Sequence, residues 1–273
     1  MGIIKTAKKN ALLSLRGKWG ITIAITLLLQ VVTALFAILR ELFLTVFDVK
    51  SGVLSFEYFN KSWTNFTLML VITLLIMLFT FLVQTPISLG AMRWFYKNAG
   101  GKTAGFYSVF SYMQTTGGYA KAIWFWFNLY VRLFAYGCLF LLPGTIIGLV
   151  GLWGLYINGW AGPLDIVLVF TGIILFVIGF IGYYLVTLRY FLAPYYFFDN
   201  PDIKVRDIIK VTVQFSKTKT TELVKLTLSF IGWELLNLLV FPILFTLPYK
   251  HSTYAIVARV YIEQINQTNK EVE

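Results

Sequence analysis

The chain has 273 residues, of which 58% are hydrophobic and 13% are charged, and its mean hydropathy is +0.76. Because a soluble core could not cover so many apolar runs of about 20 residues, the composition excludes a soluble globular protein and indicates a polytopic membrane protein. The net charge of +11 does not indicate nucleic acid, because the Lys and Arg residues fall in short loops beside apolar runs, as membrane topology requires.

The N-terminal residues 1–18 combine basic residues with apolar residues at helical spacing. This pattern predicts an amphipathic helix in the cytoplasmic membrane interface, with its apolar face toward the lipid. Its side chains Lys5, Lys8 and Lys9 are candidate contacts with the anionic lipids of the inner leaflet. We expect no cleavable signal, because the first apolar run is too long for a signal peptide and no small-residue cleavage site follows it.

The sequence predicts an all-α fold with about six transmembrane helices in a single integral membrane domain over residues 1–273. The predicted spans are 20–39, 66–90, 122–142, 164–188, 226–240 and 243–262. The third span ends at Pro143, because proline breaks helices. The glycine-rich stretch 144–157 is then either an interfacial piece or the continuation of a tilted, kinked helix. Prolines also interrupt the last two spans, and the alternative there is one crossing followed by an amphipathic tail.

Basic residues in the loops predict the orientation. Residues 91–121 contain four Lys or Arg and no acid, and residues 189–225 are also rich in Lys and Arg, so both segments are expected in the cytoplasm. Residues 40–63 have balanced charges and residues 153–163 contain neither Lys nor Arg, so both are expected outside. Six spans with both termini in the cytoplasm satisfy all four segments.

The sequence also suggests a threefold repeat of an interfacial helix followed by a hairpin, over residues 1–95, 104–195 and 200–265. The turns "LLSLRGKWGITI", "FSYMQTTGGYAKAI" and "QFSKTKTTELVKL" are spaced by about 100 residues. The first two share a glycine that is followed two positions later by Trp19 or Tyr119. The alternative, that any hairpin protein has basic cytoplasmic turns, stays open.

Motifs for enzymatic chemistry are weak. "AGGKT" at residues 99–103 lacks the first glycine of a phosphate-binding loop, because Tyr96 stands at that position. His251 is the only histidine and Cys138 the only cysteine, so neither predicts a metal site. No G-x-S-x-G nucleophile motif occurs. The sequence therefore predicts no catalytic, cofactor-binding or metal-binding residues.

Two charges fall within predicted spans at matching depth. Arg132 lies roughly 15 Å from the start of the third span, and Glu234 lies roughly 13 Å from Lys225, at about 1.5 Å per residue. Charges at such depth are costly and usually pair or line a wet cavity. We expect an ion pair between Arg132 and Glu234, with either a packing role or a role in transport.

Small and amide residues in the spans predict how the helices contact one another. The amides expected to bond between helices are Gln30, Gln84, Asn128 and Asn237. The glycine pairs Gly144 with Gly148 and Gly179 with Gly182 predict close helix approach.

A cytoplasmic amphipathic helix is predicted to begin with Asn200 as its cap and Pro201 at its first position. Val205, Ile208 and Ile209 form its apolar face, which we expect on the inner leaflet. Lys204, Arg206 and Lys210 are candidate contacts with anionic lipid.

The C-terminal third contains "APYYFFDNPDIKVRDIIKVT", "KLTLSFIGWELL" and "LPYKHSTYAIVARVYIEQI". These segments resemble the signature of a family of multi-pass membrane proteins of Gram-positive bacteria, domain of unknown function nine-seven-five. "LSFIGW" and the downstream "PY" are the most specific part. The early "ALLSLRGKW" and "LLPG" at residues 141–144 resemble its other features. An apparent insertion after Gly144 departs from shorter members. The resemblance implies a helical bundle in a bacterial plasma membrane and no established activity.

Three functions remain open. The first is a non-enzymatic accessory or scaffold protein with an unidentified membrane-protein partner. The second is a small transporter or channel with a polar path near Arg132 and Glu234, and the third is an intramembrane lipid-modifying enzyme. A transporter requires a wet cavity lined by these charges, whereas a scaffold requires a dry, paired site and an exposed groove elsewhere.

Overall fold

The computed structural model describes residues 2–47, 63–102, 104–158, 162–239 and 241–272. The described residues form helices and contain no β-strand, which confirms the all-α fold. The α-helices are α1 (Ile3–Leu15), α2 (Trp19–Val46), α3 (Trp63–Ala99), α4 (Thr116–Asn158), α5 (Pro163–Leu188), α6 (Ala193–Asp199), α7 (Val205–Thr218), α8 (Thr220–Leu228), α9 (Ile231–Leu236) and α10 (Ile243–Val272). Short 3-10 helices cover Phe106–Phe110 and Asn237–Leu239. Residues 48–62 and 159–161, which contain most of the first predicted outside loop and part of the second, lie outside the described residues.

Four segments are long and apolar enough to cross a membrane: α2, α3, α4, and α5 continuing into α6. Few residues of their apolar stretches are buried, many large apolar side chains are exposed, and water would be a poor solvent for such a surface. These helices therefore indicate membrane insertion. The predicted fifth and sixth spans are not among the four, because the chain bends at Ser229 and Phe230 and α10 is less apolar.

Helix α4 differs from the prediction, because it continues through Pro143 and is 43 residues long. Stretch 144–157 is therefore its second half. Proline is tolerated within membrane helices where neighbouring groups compensate for the lost hydrogen bond. Pro143 cannot donate to the Leu139 carbonyl, and the Thr145 hydroxyl bonds elsewhere, to the carbonyl oxygens of Leu141 and Leu142 at 3.1 and 2.9 Å.

The described chain divides into two compact units, residues 1–123 with 233–260, and residues 124–232 with 261–273. In the first unit α2 packs against α3, and the cluster around Leu44 and Ile72 is buried between them. The end of α3 is buried as well, including Trp94, whose indole N–H donates to the Ala104 carbonyl at 2.8 Å. Gly90 permits this packing, because a Cβ there would lie 1.8 Å from the Val109 carbonyl oxygen.

Pro86 within α3 receives support from a side chain outside its helix. A proline cannot donate to the carbonyl four residues earlier, here that of Leu82. The Tyr119 hydroxyl donates to this carbonyl at 3.0 Å. One signature residue of the predicted repeat thus compensates for a helix-breaking proline.

In the second unit the short helix α6 forms the buried centre. Every side chain from Ala193 to Phe198 is buried, and the ring of Phe197 stacks on Phe125 at 4.8 Å. Helix α7 packs on α6, and α8 packs on α5.

The start of α7 also differs from the prediction. The helix begins at Val205, and Asn200 caps the end of α6 instead, because a residue before proline disfavours helical conformation. Ile208 and Ile209 are buried within the protein. This part of the predicted lipid-facing surface therefore belongs to the core of the unit.

Candidate functional site

The most connected polar cluster lies in a C-terminal hairpin, residues 233–260. Its first arm is the end of α9 and the 3-10 helix Asn237–Leu239, and its second arm is the first part of α10. Glu234 and Asn237 stand three residues apart on the first arm, and Thr246 and Lys250 stand four apart on the second. Both spacings put the two side chains on one face of a helix.

These four side chains form one hydrogen-bonded chain, the hairpin cluster. Lys250 Nζ donates to Glu234 Oε1, forming a salt bridge. Asn237 Nδ2 donates to Glu234 Oε2 at 2.9 Å, and the Thr246 hydroxyl donates to Asn237 Oδ1. Both carboxylate oxygens of Glu234 therefore have donors, and one of the donors carries a positive charge.

Aromatic rings surround the hairpin cluster. Trp233 contacts Tyr249 edge to face with ring centroids 5.8 Å apart, and Lys250 Nζ lies 5.7 Å from the Tyr254 ring. His251 stacks on Phe95 of α3 with centroids 5.4 Å apart. The lone histidine thus has a packing contact. No group of three or more His, Cys, Asp or Glu residues within the described ranges could hold a metal ion.

Arg132 lies elsewhere, in the second unit. Its guanidinium interacts with the Tyr190 hydroxyl, as does Tyr136, and the rings of Tyr136 and Tyr190 are 6.5 Å apart. The structure thus gives Glu234 and Arg132 separate neighbours within their own units. The pairing of Arg132 with Glu234 stays a prediction.

The register of α4 against α5 shows where Arg132 lies along its span. A Cβ on Gly151 would contact Val169, one on Gly144 would contact Phe176, and one on Gly179 would contact Phe140. Continuing this antiparallel register places Arg132 beside the end of α5. The sequence interpretation ended this helix at Pro143, whereas α4 continues to Asn158, so Arg132 lies in its first half. The depth of Arg132 in a membrane stays a prediction.

The glycine and amide predictions have mixed outcomes. Close approach at Gly144, Gly148 and Gly179 is confirmed, since added Cβ atoms on Gly144 and Gly179 would lie 2.4 and 2.0 Å from backbone atoms of the facing helix. Gln84 donates from α3 to Thr33 of α2 at 2.9 Å, as predicted. Asn128 instead donates to the Trp124 carbonyl of its own helix at 2.8 Å.

The candidate lipid contacts are on the surface with one exception. Lys5, Lys9, Lys204, Arg206 and Lys210 are exposed, whereas Lys8 is partly buried, and burial lowers the pKa of its amine. One face of α1, with Ala7, Ala11 and Leu15, is buried in the protein, while Leu12 and Leu13 stay exposed. Lipid binding by these basic residues stays a prediction.

Lys250 was missed as the partner of Glu234. The sequence offered one signal, because Glu234 lies eight residues before Pro242 and Lys250 eight residues after it. Opposite charges at equal distances from a turn meet when the two arms fold antiparallel. The predicted topology of two full crossings, 226–240 and 243–262, did not include this pair.

Long apolar helices and tight glycine contacts between them indicate a helical membrane protein. A family model described as "Protein of unknown function (DUF975)" matches residues 122–269, just over half of the chain, and the chain belongs to this family. The resemblance noted from the C-terminal segments is thereby confirmed. A search of curated proteins found no match, and a search of solved structures found none either.

Proposed function

We propose that this chain is a non-enzymatic accessory or scaffold protein of a bacterial plasma membrane, with both termini in the cytoplasm. The basic segments 91–121 and 189–225 support this orientation, because an even number of candidate crossings separates each of them from the N-terminus. Anionic inner-leaflet lipids and another membrane protein are its proposed partners.

The observation that carries the proposal is the pairing of Glu234. A cationic partner competes with protons and transported cations for a carboxylate. Here the two oxygens accept hydrogen bonds within the hairpin cluster, from Lys250 and Asn237. A neutralised, hydrogen-bonded pair fits a role in holding the two arms together.

The groove between α2 and α3 supports the same conclusion. It has a volume of 340 Å³. Apolar side chains alone line it: Phe36, Leu39, Phe43, Ile72, Leu75, Ile76 and Phe79. Such a groove offers ions no polar path, whereas it suits apolar contacts within the bilayer.

Flux measurements on the purified chain in proteoliposomes test the proposal. We expect no proton or cation flux above that of empty vesicles, and no change in vesicle lipid composition by mass spectrometry. The variants are Glu234→Gln and, as the matched control, Glu263→Gln, an exposed acid of α10 outside the cluster.

A flux that Glu234→Gln abolishes and Glu263→Gln preserves would replace the scaffold with a transporter. Conversion of a lipid by the wild-type chain would make it an enzyme.

A further inference from the structure

The hairpin 233–260 ends in an apolar tip. Leu238, Leu239 and Phe241 are 80%, 71% and 70% exposed, and residues 235–249 contain no charged side chain. If a tip of this composition lay in water, on either side of a membrane, it would expose a large apolar surface. We propose that the hairpin is re-entrant: its tip enters the leaflet on the side where α2 begins, and the chain returns to that same side.

The depth of the tip follows from a contact with α2. The Phe245 ring lies 5.9 Å from that of Trp19, the first residue of α2. Phe241 at the tip lies four residues before Phe245, so the tip extends at most about 14 Å beyond Phe245 even if the chain is fully extended. Helix α2 extends 28 residues, about 42 Å, from the same level. The tip therefore stops far short of the opposite surface.

Contacts with the end of α3 place the base of the hairpin on the same side. His251 stacks on Phe95, and the Arg259 guanidinium lies over the Tyr96 ring at 5.0 Å. A Cβ on Gly100, just after α3, would meet this guanidinium at 2.3 Å. Since α2 and α3 form a hairpin, the start of α2 and the end of α3 share one side. The second arm thus returns to the side on which the hairpin starts.

The backbone of the turn is suited to a water-poor environment. Pro242 has no N–H, and the Phe241 N–H donates to the Leu239 carbonyl at 2.7 Å. The Phe245 and Thr246 N–H groups donate to the Pro242 carbonyl at 3.0 and 2.9 Å. Irregular backbone in hydrocarbon is costly mainly through unsatisfied polar groups, and these donors are satisfied.

In this proposal the lipid acyl chains of that leaflet surround the tip. Arg16 is exposed next to the α2 start, and its charge suits the anionic headgroups at the level where the hairpin enters. The salt bridge between Glu234 and Lys250 neutralises the two charges nearest the tip, which lowers the cost of their insertion.

Single-cysteine labelling in sealed vesicles of both orientations tests the topology. The background is Cys138→Ser, and the reporters are Leu239→Cys at the tip, Lys102→Cys just after α3 and Phe47→Cys at the far end of α2. A membrane-impermeant maleimide should label Lys102→Cys from one side and Phe47→Cys from the other. Leu239→Cys should be labelled from neither side and should react only after detergent is added.

Labelling of Leu239→Cys from the Phe47 side would show a full crossing and overturn the proposal. Labelling from the Lys102 side would show that the tip lies in water and would also overturn it. A nitroxide on Leu239→Cys supplies a second measurement in folded protein. We expect it to be more accessible to oxygen than to a water-soluble nickel chelate, and the reverse order would contradict insertion. These outcomes are independent of the flux measurements.

Discussion

The α4–α5 pair and the C-terminal hairpin each hold two antiparallel arms together, but by different interactions. Along α4 and α5 the backbones meet at glycines, and no hydrogen bond is needed for the contact between Gly144 and Phe176. In the C-terminal hairpin the arms are joined by a chain of polar side chains from Lys250 to Thr246. The comparison shows that shape holds the long apolar pair and that charge and hydrogen bonding hold the short one.

The largest loss of stability is expected at the contact between α4 and α5, where only the fit of the two backbones holds the helices together. Gly144→Leu should destabilise the protein by about 3 kcal/mol, because the new side chain must displace the Phe176 backbone. The measurement is thermal unfolding in detergent, followed by circular dichroism.

Gly137→Ala is the matched control on the same helix, since its Cβ would make an ordinary 3.6 Å contact with Tyr183. It should leave stability unchanged or raise it by up to about 1 kcal/mol. Equal stabilities for the two variants would mean that the glycine contact does not hold the pair.

The next effect concerns the salt bridge of the hairpin. Glu234→Gln and Lys250→Gln should each cost about 1 kcal/mol, and the double variant should cost less than the sum of the two. Unfolding of all four proteins in detergent gives the coupling energy.

The comparison pair is Lys219 and Glu222, which are three residues apart with nitrogen and oxygen 3.3 Å from each other. A partly exposed pair three residues apart couples by at most about 0.5 kcal/mol. If the coupling energy between Glu234 and Lys250 is no larger than this, their salt bridge does not join the two arms.

A smaller loss of stability is expected at Thr246, the last residue of the hairpin cluster. Thr246→Val removes the hydroxyl that donates to Asn237 and should cost about 0.6 kcal/mol. Thr268→Val serves as the control, since that hydroxyl donates only to Gln264 of its own helix. If the two variants have the same stability, the bond between the arms adds nothing.

The smallest effect is a pH dependence outside the hairpin. The Tyr261 hydroxyl donates to Glu222 at 2.7 Å, and this bond, with help from Lys219, lowers the pKa of the carboxyl below 4.5. The stabilisation is therefore present above that value and is lost as pH falls through the lower folded-state pKa.

Tyr261→Phe should be less stable than wild type near neutral pH, and the difference should shrink on acidification to about pH 3. The change is small because the Glu222 side chain is 42% exposed. A difference that grows on acidification would contradict the assignment. The measurement is unfolding of both proteins across this pH range.

The sequence was informative where a pattern has one physical meaning. Apolar runs predicted α2, α3 and α5, and glycine spacing predicted close helix approach at residues of α4 and α5, without naming the two helices as partners. The need of Glu234 for a cationic partner was also predictable, because an unpaired acid in an apolar segment is costly.

The errors came from features with two meanings. Pro143 was interpreted as a helix end, yet proline is tolerated within membrane helices, and α4 continues through it. Asn200 before Pro201 has the composition of a helix start, and in the fold it ends α6. Which reading holds depends on tertiary contacts that no local pattern contains.

The threefold repeat stays a prediction, and two contacts now make it more specific. Trp19 of the first repeat contacts Phe245 of the third, and Tyr119 of the second contacts the Leu82 carbonyl of the first. Helix α8 of the third repeat packs on α5 of the second. In each case the first arm of one repeat meets the second arm of another.

The salt bridge in the hairpin also determines how this part of the chain responds to voltage. A single charge moved across a potential of 100 mV gains or loses about 2.3 kcal/mol. Glu234 and Lys250 are bonded together and carry no net charge as a pair. The electric field of an energised membrane therefore exerts no net force on the pair, and the hairpin should keep its depth when the membrane potential rises or collapses.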